Sequence, residues 1–174
     1  MRITVLFAVV LFVMFLASDA VYSQNNADSQ AINDLIDKYS ALEDSGDMMS
    51  QAKLMAADRV WIAELGGRRT NQTMNMELQQ ARFDEAKKSV PGVKWFTDAR
   101  DRLIKFYGEG SVAVASFYWY RLFVLPADTP PEKVKLLNPV QPVTFTLVLE
   151  KKNGNWKIVH THSSPLGYPP ADND

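Results

Sequence analysis

The chain has 174 residues, 47% of them hydrophobic and 22% charged, enough for one buried core and too few for two comfortable ones. Lysine and arginine total 19 against 20 acids, so the charge balance offers no basic field to hold a nucleic acid. Cysteine is absent, which excludes a disulfide framework, a thiolate metal site and a cysteine nucleophile.

In chain order, Arg2 is the one charge ahead of an apolar run from Ile3 to Ala17, short for a bilayer span. Small residues at Ser18/Ala20 and Val21/Ser23 offer two cleavage frames. Residues 1–23 therefore read as a signal peptide and 24–174 as a single domain. The expected product is exported, periplasmic or secreted, with no stable membrane span after cleavage. Polar Gln24–Ala27 is expected to be disordered.

Asp28 is predicted to cap a helix in which Ile32, Leu35, Ile36, Tyr39 and Leu42 make one apolar stripe, with acids and Lys38 outside it. Gly46 stops that helix, and Asp47 caps a second over Met48–Ala57. Val60–Leu65 reads as a short strand, Gly66-Gly67 as a turn, and Thr70 to about Lys88 as a third helix ended by Pro91-Gly92. Met48, Met49, Met55, Met74 and Met76 are candidates for an adaptable lining on these helices.

The pattern then changes to period two over Lys94–Tyr107, Val112–Leu125, Val143–Lys152 and Asn155–Ser163. Gly108–Gly110 suits a hairpin, whereas Pro126–Pro142 is too long for a simple turn. Arg100 and Arg102 are placed on one face of their strand. Phe117 to Tyr120 leave both faces of theirs apolar, so one face should cover a cavity and the other a partner. On the last strand Trp156, Ile158, His160 and His162 are placed on one face, and Lys157, Val159, Thr161 and Ser163 on the other. Helices followed by strands predict an α+β fold.

The final stretch, Asn155-Trp156-Lys157-Ile158-Val159-His160-Thr161-His162-Ser163-Ser164, resembles the end of the NTF2-like (SnoaL-like) superfamily, most closely the association domain of calcium/calmodulin-dependent kinase II. Tyr39, Gly46-Asp47 and Ala57-Asp58 stand at the spacing of the helical hairpin in its ketosteroid-isomerase-like members. The resemblance implies a cystatin-like α+β cone, N-terminal helices packed on a curved antiparallel sheet around a cavity. It also implies a homodimer or higher homo-oligomer joined through the sheet. In the isomerase branch a tyrosine matching Tyr39 helps form an oxyanion hole with a protonated acid, while the base position falls on Ala63, beside Glu64. The association-domain branch lines its cavity with arginines. Those positions fall on Leu147 and Tyr118 here, and Arg121 matches only after a three-residue slide.

The ligand pocket is accordingly expected from Tyr39, Asp58, Trp61, Tyr118, His160 and His162, and the interface from Phe117, Trp119 and Arg121. His160, His162 and Tyr39 are the catalytic candidates. The two histidines lack a third ligand nearby in sequence, so neither a metal nor another cofactor is expected. Three readings stand. The first is an exported, non-catalytic domain binding an unknown small, largely apolar molecule; the second is an isomerase, dehydratase or hydrolase using the same pocket; the third is a structural oligomerisation module.

Overall fold

A computed structural model describes residues 26–63, 66–134 and 142–166. The expected leader over 1–23, Glu64 and Leu65, and part of the proline-rich connection lie outside the described residues. The chain divides into two units after Asp34. The described part of the first is the opening of α1, which runs over residues 26–45 and is already helical at 26. Asp28 therefore lies within the helix and does not cap it, and residues 26 and 27 are ordered helix where a disordered lead-in was expected.

The second unit, from Leu35, holds all the other elements. Leu35, Ile36 and Tyr39 are buried as the stripe requires, but Glu43 is buried too, at 7% exposure, and Leu42 only half so. The expectation that the acids stay outside fails at Glu43. Gly46 ends α1 at a φ of +70°, and a Cβ there would meet Lys87 Nζ at 2.8 Å. The left-handed turn favours glycine, whereas the flexible end of Lys87 could move aside.

Helix α2 spans Met48–Ala52, with the Asp47 carboxylate accepting from the Ser50 amide at 2.9 Å. It stops five residues short of the predicted end because the chain leaves it to become β1, Met55–Ile62. That strand lies parallel to the last one, pairing Met55 with Ile158 and Val60 with His160, and sheet pairing overrides the local helical pattern. After β2, Arg68–Arg69, helix α3 covers Gln72–Ser89. Its cap is Asn71, whose side chain accepts from the Met74 amide, so the helix begins two residues after Thr70. Gln80 grips the α1–α2 junction, accepting from the Met48 amide and donating to the Gly46 carbonyl.

Strands β3, Lys94–Tyr107, and β4, Val112–Val124, are joined through a short 3-10 turn. A one-turn helix α4, Pro131–Val134, lies in the connection to β5, Val143–Lys152, and β6, Asn155–Pro165, closes the sheet. The order is β2-β1-β6-β5-β4-β3, antiparallel throughout except for β1 against β6, which makes the curved, unclosed sheet mixed.

Which residues face the core is set by pairing. On β5, Val143, Phe145, Leu147 and Leu149 are buried and alternate with more exposed neighbours. Phe117 stands opposite Phe145 and Trp119 opposite Val143, so Phe117 and Trp119 point inward with them. The expected assignment of this strand is thereby reversed. Phe117, Trp119 and Arg121 belong to the inner face, and Tyr118, 39% exposed, to the outer one.

Two bulges alter the phase elsewhere. In β3, Asp101 at a φ of 54° breaks the register between Arg100 and Leu103. Arg100 consequently stays outside against Asp98, while Arg102 turns in to bond Asp37, so the two do not share a face. In β6 the partners of Leu149 and Val148 are Ile158 and His160, which leaves Val159 as an extra residue. Trp156 and Ile158 are buried before the bulge, Thr161 and Ser163 after it. His160 and His162 therefore lie on the face opposite Trp156 and Ile158, contrary to the uninterrupted alternation.

Candidate functional site

The inner face of the sheet carries an aromatic floor. The Tyr39 ring meets Trp119 edge-on at 4.9 Å, and Phe145 lies 4.5 Å from Trp119. Above this floor a cavity is lined by Tyr39, Glu43, Trp61, Gln79, Trp119, Arg121, Val143 and Phe145. About 30 Å³ of it is reachable by the centre of a water molecule. That is room for one or two waters, and a larger guest requires half-buried Trp61 or Gln79 to turn aside.

One wall is polar. Glu43 stands one helical turn beyond Tyr39 and accepts from Gln51 Nε2 at 2.8 Å, and the same nitrogen donates to the Tyr39 carbonyl at 3.1 Å. Burial pushes the Glu43 carboxyl above its ordinary range, against the opposing pull of the Gln51 hydrogen bond and of Arg121. Burial likewise raises the Tyr39 phenol, with Arg59 opposing. Both shifts run toward the proton-bearing form, the one able to donate.

Behind this wall Arg59 is 2% exposed and is the largest fully buried side chain among the described residues. Its Nε donates to Thr161 Oγ1 at 3.0 Å, and its Nη1 to Gln72 Oε1 at 3.2 Å and to the Met55 sulfur at 2.8 Å. Its hydrogen-bond partners are all neutral. Burial lowers its pKa while Tyr39 and Glu43 oppose that shift, and a guanidinium keeps its charge in such surroundings. Arg59 and Arg69 also flank the Trp61 ring, at 5.6 and 4.8 Å. Among the described residues, neither the Trp61 nor the Trp119 indole N–H has a hydrogen-bond partner. Trp119 is 3% exposed, and its donor is buried.

Of the expected pocket residues, Tyr39 and Trp61 line this cavity, and Asp58, Tyr118, His160 and His162 do not. Asp58 is exposed on β1, Tyr118 is on the outer face, and the β6 bulge carries the histidines there as well. Trp119 and Arg121, expected at an interface, line the cavity. None of the five methionines does, and Met49 and Met74 are exposed. Glu43 and Arg59 were missed altogether. For Glu43 a signal existed, since it follows Tyr39 at i+4 and so shares its face.

The SnoaL-like domain family matches residues 32–169. The chain belongs to that family. Similar solved structures share the NTF2-like, cystatin-like fold at low identity. An NTF2-like protein from Novosphingobium aromaticivorans is 15% identical, covering 87% of this chain and 90% of its own, with a TM-score of 0.65. A proposed scytalone dehydratase from the same organism is 14% identical over 83% of this chain and 97% of that one, TM-score 0.63. A proposed calcium/calmodulin-dependent protein kinase II association domain from Xanthomonas campestris is 20% identical over 80% and 87%, TM-score 0.57. No curated protein matches the chain. As a SnoaL-like domain it keeps a tyrosine and a buried acid together on its first helix, and it carries its histidines outside the cavity.

Proposed function

We propose that this SnoaL-like domain binds a small planar molecule carrying a carbonyl or carboxylate oxygen, held on the aromatic floor with that oxygen toward the polar wall. The observation that carries the reading is the buried Trp119 N–H, which lacks an acceptor among the described residues on a wall shared with Trp61 and Arg121. A buried donor without an acceptor costs about 1–3 kcal/mol, which a ligand oxygen would recover. Relative to the sequence reading, the ligand is more polar. The rings supply contact area, and the donors select the functional group.

Ligand-observed NMR and thermal shift with small aromatic acids and ketones test this. A ligand should raise the midpoint of the wild type, and Trp119→Phe, which keeps a ring and drops the N–H, should weaken it by about 1–2 kcal/mol. Equal affinity for the two proteins would sink the assignment.

A second reading is favoured by one feature, the buried Glu43 carboxyl, raised by its burial, one turn from Tyr39. Such a pair could donate to an oxygen as it gains negative charge, in an isomerisation or dehydration, and one relative in fold is a proposed scytalone dehydratase. If the site turns over, Tyr39→Phe and Glu43→Gln should each slow it roughly a hundredfold with little change in binding.

Export belongs to the same proposal and rests on the apolar run Ile3–Ala17 behind Arg2. No described helix is long and apolar enough to cross a membrane. Mass spectrometry of the native protein should find a new N-terminus between Ser18 and about Asn25. Intact Met1 in a membrane fraction would contradict it.

A further inference from the structure

We propose that His160 and His162 form a two-imidazole site for a divalent transition-metal ion, Cu²⁺ foremost, on the outer face of the sheet. This site is separate from the cavity and does not depend on the ligand reading, because the β6 backbone lies between them.

The placement comes from the bulge. Beyond Val159 the strand is regular on both sides, with His160, Thr161 and His162 paired in step to Val60, Trp61 and Ile62 of β1 and to Val148, Leu147 and Thr146 of β5. Two residues apart on a strand clamped by two neighbours, the histidines have Cα atoms about 6.5–7 Å apart and side chains on the same side. Imidazoles so placed can converge on one ion at bond lengths of about 2.0–2.1 Å. Thr161 between them is fully buried beneath Arg59, which anchors the strand and limits how far the pair can drift apart.

The surroundings favour a ligating role over an ion pair or a packed core histidine. Directly opposite, the neighbours are Val60, Ile62 and Val148, with Thr146 carrying the one hydroxyl, so no paired position offers a carboxylate. His162 is exposed and His160 half-buried, which leaves the site open to solvent.

Among the described residues no three His, Cys, Asp or Glu side chains gather to hold an ion, so this is a chelate of two, not a cage. Its remaining coordination positions face water. Nitrogen ligands without thiolate rank copper above zinc and nickel, and a two-point site discriminates by that order.

The full mature chain should be titrated with Cu²⁺ and, separately, Zn²⁺, followed by calorimetry and, for copper, electron paramagnetic resonance. The expected result is one Cu²⁺ per chain, bound more tightly than Zn²⁺, with coupling to two imidazole nitrogens. His160→Ala and His162→Ala should each weaken Cu²⁺ by about tenfold or more, since each removes one arm of the chelate. The doubly substituted protein should lose the site, and Trp119→Phe should leave it unchanged. Undiminished binding in the double variant, or single variants equal to the wild type, would overturn the proposal. So would a wild-type spectrum with fewer than two imidazole nitrogens, a readout that stands even if a variant fails to fold.

Discussion

Glu43 and Arg59 are the two residues whose burial most constrains the molecule. Glu43 lies 7% exposed with Gln51 as its hydrogen-bond partner, and its carboxyl is raised by burial. A raised acid means the folded state holds its proton longer than the unfolded chain does. Its contribution is therefore fully present below the ordinary carboxylate range and is lost as pH rises from there through the folded value. Glu43→Gln keeps an oxygen for Gln51 and abolishes the titration. The variant should show a flatter stability–pH curve from about pH 4 upward and a higher melting temperature than the wild type at neutral pH. Parallel curves for the two proteins would show that Glu43 titrates alike in the folded and unfolded chain.

At the scale of elements, the extra residue in β6 decides where the chemistry sits. With Val159 in step the strand would carry Trp156, Ile158, His160 and His162 on one face, and the bulge instead puts Thr161 and Ser163 inside. Thr161 Oγ1 accepts from the Arg59 Nε, so restoring simple alternation would push an imidazole toward a buried guanidinium and strip that cation of a partner. Deleting Val159 would leave Ile158, Thr161 and Ser163 in step on one face, whereas Thr161→Val strips the buried Arg59 of its acceptor and should cost about 1–3 kcal/mol. Soluble expression and urea unfolding would measure it. A Thr161→Val variant as stable as the wild type would mean that the buried Arg59 does not depend on that acceptor.

At the scale of the whole molecule, the outer face of β3 and β4 is left uncovered by the described residues. Phe96, Leu103, Tyr118, Leu122 and Val124 are exposed, at 51, 57, 39, 65 and 51%, and all stand on the neighbouring strands β3 and β4. An apolar group of this kind on the face opposite the cavity suits a second copy of the chain. Leu122→Asp or Tyr118→Asp should dissociate a dimer while leaving the fold intact. Trp119→Asp, which the sequence alone would place in the same interface, should instead unfold the domain. Light scattering distinguishes the cases, and a monomeric wild type would remove the dimer proposal.

Periodicity, turn residues and composition suffice for the α+β class, for β3 to β6 to within two residues at their ends, and for Tyr39 on the buried face of the first helix. Those properties rest on local preference and on the alternation of one clean strand, which survive whatever the rest of the chain does. The end of α2, the faces of β4 and the position of the histidines were not legible. β1 becomes a strand only because β6 lies beside it. Phe117 to Tyr120 are aromatic on both faces, so pairing with Phe145 and Val143 had to choose between them. Val159 carries no turn or bulge signature, and only the register against Val148 and Leu149 reveals it as extra. In each case the deciding interaction joins residues far apart in sequence, where a one-residue shift reverses every side chain and leaves local propensity unchanged.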